Sequence, residues 1–135
     1  MPPLPWTSRV TLQPDTECTV MGSRLPLRSH RSIPRFLLWT LRIRRQLADT
    51  TGLVGYALDA DLVAKTFWTV SAWTGRPELS GFDRGDPHAA AKRAIGPVML
   101  PTTFVFWSCT AVDLPVSWDE VRRRIDAVEV KRSGG

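Results

Sequence analysis

The residues best suited to chemistry lie in one stretch of the chain, where an aromatic run precedes a histidine. The run from Phe67 to Trp73 reads Phe-Trp-Thr-Val-Ser-Ala-Trp, and His88 follows it in a Gly-Asp-Pro-His sequence. Aromatic rings provide flat walls for a small molecule, and an imidazole accepts protons or binds metals near neutral pH. This stretch therefore predicts a site that binds or transforms a small molecule.

His88 is the predicted catalytic residue. Asp86 is suited to cap a helix and Pro87 to occupy its first position, so His88 is expected in the first helical turn. The partial positive charge of a helix N-terminus disfavours the imidazolium, so a neutral ring is expected there. Such a ring can accept a proton or bind iron. The alternative is an ordinary polar residue of a first helical turn.

The predicted substrate-binding residues come from the aromatic strand and from the elements expected beside it. They are Trp68, Ser71, Trp73, Phe82, Trp107, Arg35 and Trp39. The tryptophans are interpreted first as core or interface residues, and Arg35 is more typical of a solvated arginine than of one that binds an anionic ligand. Ser71 lacks the nucleophile-elbow sequence of hydrolases, and the acidic residues near His88 lack metal-ligand spacing. We therefore predict neither hydrolase chemistry nor a metal site.

Composition indicates a globular protein of one domain. The chain has 135 residues, of which 43% are hydrophobic and 23% charged, and it contains no apolar run of the roughly 20 residues that cross a membrane. The first six residues lack the features of a secretory signal, so a cytoplasmic protein is expected. The net charge of +5 includes arginine clusters at 42–45 and 122–124. Both lie on predicted helices and are expected to be solvated, so neither nucleic acid nor membrane is a predicted partner.

Cysteine usage gives no sign of a disulfide framework. Cys18 and Cys109 both fall within predicted strands, and neither has a second cysteine at metal-ligand spacing. We expect both to pack as small apolar residues.

The order of elements predicts the fold class. Residues 1–15, rich in proline, are expected to form an extended or disordered arm, residues 16–130 the domain, and residues 131–135 a frayed tail. Predicted strands span 18–25, 53–58, 65–73 and 102–110, and the second and third are joined by a turn at 59–61. Predicted helices end before Gly52, near residue 95 and near residue 128, the last capped by Ser117.

This β-α-β-β-α-β order with an extra C-terminal helix predicts an α+β, ferredoxin-like fold with an antiparallel four-stranded sheet. Two helices cover only one face of such a sheet. The strands at 65–73 and 102–110 carry apolar residues on both faces. We therefore expect a second copy to cover the other face, which predicts a homodimer.

These features together resemble the dimeric α+β barrel superfamily, and within it the antibiotic-biosynthesis-monooxygenase-like proteins. The residues that carry the resemblance are the run at 68–73, Phe82, and the Pro87-His88 pair, and the resemblance covers about residues 16–112. It implies a pocket between the sheet and its two helices in each subunit. It also implies oxygen chemistry without metal or flavin, in which a polyaromatic substrate supplies the electrons.

A haem-degrading branch of the same superfamily suggests an alternative. In that branch a helix histidine binds the iron, and His88 corresponds to it, with Phe82 near the place of a tryptophan. The branch also has an asparagine on its first strand, whereas this chain contains no asparagine. Three functions stay open: a monooxygenase-like enzyme without a cofactor, a protein that binds haem or another planar ligand through His88, and a structural dimer without activity.

Overall fold

The described part of the chain contains five strands and two long helices. The structure is a computed structural model, and it describes residues 4–8, 10, 12–48, 50, 52–75, 82, 92–93 and 95–134. The strands are β1 (Leu4–Ser8), β2 (Glu17–Pro26), β3 (Leu53–Asp61), β4 (Thr66–Trp73) and β5 (Thr103–Thr110). The long helices are α1 (Ile33–Ala48) and α2 (Trp118–Gly134). His88 lies outside the described residues.

The described strands form one antiparallel sheet in the order β1-β3-β4-β2-β5. Within it, the four strands predicted from the sequence take the ferredoxin-like arrangement, with β2 and β4 in the centre. Val20 of β2 lies between Ala72 of β4 and Trp107 of β5. The predicted fold class is confirmed.

One face of the sheet is covered by α1. The ring of Phe36 from α1 stacks on that of Phe67 from β4, with centroids 4.2 Å apart. These rings belong to a buried group at one end of the helix, which we call the Phe67 cluster: Leu27, Phe36, Leu58, Phe67 and Ile95. A second buried group, the Trp73 cluster, lies against the other end of α1. It comprises Leu47, Leu53, Trp73 and Phe82.

The other face of the sheet is covered by α2, and this corrects the argument for a dimer. Val121 and Ile125 of α2 are fully buried in a core with Val20 and Val70. The helix lies close to the sheet because Gly22 has no side chain: a Cβ there would lie 3.2 Å from Val121 Cγ1. The face expected to need a second copy is thus covered by the chain itself. The homodimer stays a prediction, but the need to cover the second face of the sheet no longer supports it.

The N-terminal segment is a strand of the sheet rather than a free arm. β1 pairs with β3, so the domain begins at residue 4 and the sheet has five strands instead of four. The Trp6 indole packs where Gly55 has no side chain, because a Cβ on Gly55 would lie 2.6 Å from Cε2 of that ring. Packing of the Trp6 ring over Gly55 buries apolar surface that a free proline-rich arm would leave in water.

Two boundaries also differ from the sequence-based prediction. β3 continues through 59–61, and the turn lies at 62–65, where Lys65 has a φ of 57° and the Asp61 carboxylate accepts the Ala64 N–H at 3.0 Å. At the C-terminus the helix continues through Gly134, so residues 131–134 are helical rather than frayed. Ser117 caps α2 as predicted, since its hydroxyl accepts the Glu120 N–H at 3.2 Å.

No helix within the described ranges combines the length and apolar character that crossing a membrane would require.

Replacing Gly55 with alanine tests the docking of β1. The new methyl group would overlap the Trp6 indole, so we expect Gly55→Ala to lower the free energy of unfolding by about 1–3 kcal/mol in urea denaturation. Gly96→Ala is the control, because a Cβ there meets nothing within 4 Å. Adding Trp6→Ala should remove most of the Gly55→Ala effect. Equal effects of the two glycine substitutions would contradict this packing.

A pair of valine substitutions on one helix tests the docking of α2. Val121 is fully buried, whereas Val130 is 71% exposed. We expect Val121→Ala to lower the free energy of unfolding by about 2 kcal/mol, through lost apolar burial and a residual cavity. Val130→Ala should change it by less than about 0.5 kcal/mol. Similar losses in both variants would show that α2 does not cover the sheet as described.

Candidate functional site

The predicted site residues Ser71, Trp73 and Phe82 come together beneath α1. Ser71 and Trp73 lie two residues apart on β4 and therefore share a face of the sheet. The Trp73 indole N–H donates to the Ser71 hydroxyl at 2.8 Å, and the Phe82 ring lies 5.4 Å from the indole at an angle of 39°. Trp73 is fully buried and Ser71 is 7% exposed. A polar pair thus lies within an aromatic cluster.

Ser71 has a hydrogen-bonding capacity that this contact does not use. A hydroxyl has one donor and two acceptor sites, and the indole N–H occupies one acceptor site. Within the described ranges no hydrogen bond uses the Ser71 proton, which suits this hydroxyl to donate to an acceptor on a ligand. Because the surroundings are apolar, a hydrogen bond to a developing negative charge is stronger there than in water.

A pair of hydroxyls lies beside Ser71 on the same face of the sheet. Ser23 of β2 is opposite Thr69 of β4, and their hydroxyls are hydrogen-bonded to each other. Ser23 is 1% exposed. These two residues are absent from the sequence-based prediction, although the alternation of β4 places Thr69 on the face of Ser71. The sheet therefore presents a row of three hydroxyls, formed by the buried Ser23 and Ser71 and the half-buried Thr69.

Phe82 is held against α1 as well as against Trp73. Its carbonyl oxygen accepts a hydrogen bond from the Gln46 side chain at 3.3 Å, and its side chain is buried. Phe82 belongs to the segment between β4 and β5, most of which lies outside the described residues. The predicted pocket has its sheet floor and its α1 wall within the described ranges, and its predicted second wall outside them.

Arg35 and Trp39 do not join Ser71 and Trp73. The Trp39 ring packs against the Phe67 cluster, at the opposite end of α1 from the Trp73 cluster. The guanidinium of Arg42 lies 4.7 Å from the centroid of the Trp39 ring, while Arg35 is exposed on the helix surface.

Trp68 and Trp107 lie on the opposite face of the sheet, beneath α2. Strand alternation requires this for Trp68, because its neighbours on β4 face α1. Each ring is covered by an arginine of α2, with Arg122 at 4.4 Å from Trp68 and Arg124 at 4.5 Å from Trp107. Arg122 also forms an ion pair with Asp59 of β3. These tryptophans form part of the contact that holds α2 in place.

The α2 side of the sheet carries a cavity of about 360 Å³ at the edge strand β5. The residues around it are Trp107, Ser108, Cys109, Asp113, Val116, Glu120 and Arg124. Most of them are polar, so the cavity does not suit the planar apolar ligand predicted from the sequence. Among the described residues, no three His, Cys, Asp or Glu side chains form a group that could hold a metal ion.

Solved structures share this fold at low sequence identity. A conserved protein from Methanosarcina mazei Go1 superposes with a TM-score of 0.62 at 9% identity, over 69% of this chain and 93% of that one. An antibiotic biosynthesis monooxygenase gives 0.60 at 13% identity, over 66% and 95%. A mutant of SnoaB, a cofactor-independent oxygenase from Streptomyces nogalater, gives 0.55 at 13% identity, over 68% and 91%. No protein-family model and no curated protein matches the sequence. The fold is therefore that of the antibiotic-biosynthesis-monooxygenase-like proteins.

A double-mutant cycle tests the Ser71–Trp73 hydrogen bond. Ser71→Ala leaves a buried indole N–H without an acceptor, so we expect the free energy of unfolding to fall by about 1–3 kcal/mol. In a Trp73→Phe background that donor is absent, so the same substitution should cost about 1 kcal/mol less. Ser108→Ala on the exposed side of β5 is the control and should be nearly neutral. Additive effects in the cycle would contradict the contact.

Proposed function

We propose that this protein is a small-molecule enzyme of the monooxygenase-like kind, acting without a bound cofactor on a planar, electron-rich aromatic substrate. Its substrate lies on the α1 side of the sheet, above Ser71 and Trp73. In the simplest such reaction, a methylene group that lies between two aromatic rings is oxidised to a carbonyl. One atom of O₂ enters the product, the other leaves as water with the two methylene hydrogens, and the substrate supplies the electrons.

The observation that carries the proposal is the hydroxyl proton of buried Ser71, which none of the residues described in the structure accepts. In a substrate such as anthrone, the methylene is conjugated with a ring carbonyl. Removing a methylene proton therefore places negative charge on the carbonyl oxygen, and a fixed donor in an apolar site stabilises that charge. The Trp73 indole holds the Ser71 oxygen in position at 2.8 Å without using the hydroxyl proton. A polar group fixed in this way suits a transition state better than a loosely hydrated surface hydroxyl does.

Each other residue of the site has a defined part in the proposal. The rings of Trp73 and Phe82 pack against the flat faces of the substrate, and the Ser23–Thr69 pair offers a further hydroxyl donor to the same sheet face. His88, predicted from the sequence alone, is the proton acceptor. Trp68, Trp107, Arg35 and Trp39 have no place in this site.

The comparisons support the reaction class. Proteins with this fold include an antibiotic biosynthesis monooxygenase and a cofactor-independent oxygenase. One fold serves many reactions, so the shared fold only suggests a reaction class. The buried Ser71 hydroxyl is the reason for proposing this reaction within that class.

Oxygen uptake with anthrone as substrate tests the proposed function. We expect the protein to accelerate oxygen uptake and quinone formation above the buffer rate. Ser71→Ala should lower kcat/KM by about 100-fold, because it removes the donor to the developing charge. Ser108→Ala is the control and should keep the full rate. Assays are run below the melting temperature of each variant, so that loss of folded protein does not count as loss of activity.

Two results would contradict the proposal. The first is oxygen uptake that is unchanged in Ser71→Ala and in His88→Ala, since both residues then lie outside the reaction. The second is a saturating Soret shift with haemin, near one haem per chain, that is lost in His88→Ala. That result would favour the binding of haem through His88 instead of catalysis without a cofactor.

A further inference from the structure

The two cysteines of the chain face each other across the sheet. Cys18 of β2 and Cys109 of β5 are directly opposed in the antiparallel register, and both are free thiols. Opposed residues on neighbouring antiparallel strands have Cα atoms about 4.5–5.5 Å apart. Disulfides span Cα separations of about 4.4–6.8 Å. The backbone therefore needs no large movement for the two sulfur atoms to be joined.

Both side chains lie on the α2 side of the sheet. Cys18 is part of the buried core there, and Cys109 packs against the same core from the edge strand. The charge of each thiolate would be felt by the other, since Cys18 raises the pKa of Cys109. The prediction that each cysteine packs as a small apolar residue fits Cys18, which is 1% exposed. It does not include the opposition of Cys18 and Cys109 across the sheet.

Of the two cysteines, Cys109 is half-buried and lines a cavity. It lies at the 360 Å³ cavity beside α2 together with Trp107 and Glu120, whereas Cys18 is covered by its neighbours. A small oxidant that enters the cavity therefore meets Cys109 first, and Cys18 is the thiol placed behind it.

We propose that Cys18 and Cys109 form an oxidisable pair, in which a small disulfide reagent entering the cavity is reduced as the two thiols close into one cross-strand disulfide. This site lies on the face opposite the proposed substrate site and does not depend on it.

The chemistry proceeds in two exchange steps. The Cys109 thiolate attacks one sulfur of the reagent, which releases one equivalent of thiol and leaves a mixed disulfide on Cys109. Cys18 then loses its proton and attacks the Cys109 sulfur, which releases the second equivalent. Two protein thiols are oxidised, and one reagent disulfide is reduced to two thiols.

The surroundings of the pair make the first step slow at neutral pH. Burial is the main cause that raises the pKa of Cys109 to about 11, and Cys18, Asp113 and Glu120 add to it, while Arg124 acts in the opposite direction. Burial and Glu17 raise the pKa of Cys18 as well. Since the thiolate is the nucleophile, the rate should increase about tenfold per pH unit below the pKa of Cys109.

The test uses the reduced full chain and 2-hydroxyethyl disulfide at pH 9. We expect intact mass and peptide mapping to show an intramolecular link between Cys18 and Cys109 and no retained reagent. The melting temperature should rise by about 10 °C, because the link closes a long loop in the unfolded chain. Cys18→Ala should stop at a mixed disulfide on Cys109, and Cys109→Ser should not react. Added reductant should restore the starting mass and melting temperature.

Other outcomes would overturn the proposal. A wild-type chain that keeps both thiols free would show that the reagent does not react with Cys109. A chain that retains the reagent on Cys109 would show that Cys18 does not reach the Cys109 sulfur. A disulfide between two chains would show the same. The single-cysteine variants are first checked for cooperative unfolding, and Cys18→Val replaces Cys18→Ala if the smaller side chain prevents folding.

Discussion

The structure depends on covering an antiparallel sheet whose two faces are both apolar. α1 covers one face through Phe36 and Leu47, and α2 covers the other through Val121 and Ile125. The second contact is possible because Gly22 in the central strand β2 leaves room for Val121. A sheet with one face uncovered would expose a large apolar patch and would require a partner. Here α1 and α2 bury the centre of both faces, while Phe104 and Phe106 of the edge strand β5 stay about half exposed on the α1 side.

This two-sided burial separates the aromatic residues by their position along a strand. In β4, Trp68 and Trp73 lie five positions apart, so they point to opposite faces. Trp68 is stacked with an arginine and holds α2, whereas Trp73 is buried with a hydroxyl and an aromatic ring as its neighbours. Residues that form one aromatic run in the sequence thus serve two different layers. The face under α1 holds the proposed substrate site, and the face under α2 holds the oxidisable cysteine pair.

The sequence is sufficient to predict the central strands and the ferredoxin-like order, because strand alternation and helix periodicity record which side of each element is buried. It also identifies Ser71, Trp73 and Phe82, which the structure brings together. It is insufficient for β1, since the pairing of that strand depends on Trp6 meeting Gly55, which lies far away in the sequence.

The same limit explains the errors on the α2 side. Apolar residues on the second face of the sheet are equally compatible with a partner copy and with a helix of the same chain. Local patterns do not decide between them, because α2 consists mainly of charged residues and, over the part whose side chains are described, has two that are fully buried. For the same reason the sequence does not predict that Cys18 is opposite Cys109, because tertiary structure fixes the register between strands that are far apart in the sequence.

We expect a planar ligand to bind on the α1 face of the sheet and not on the α2 face. The most direct measurement is the indole region of a ¹⁵N–¹H NMR spectrum of the protein, which contains six tryptophans, during titration with anthraquinone sulfonate. Substitution of single tryptophans assigns the signals. Binding on the α1 face predicts a saturating shift of the Trp73 signal while those of Trp68 and Trp107 stay in place. Saturating shifts of Trp68 or Trp107 with an unmoved Trp73 signal would contradict binding on that face.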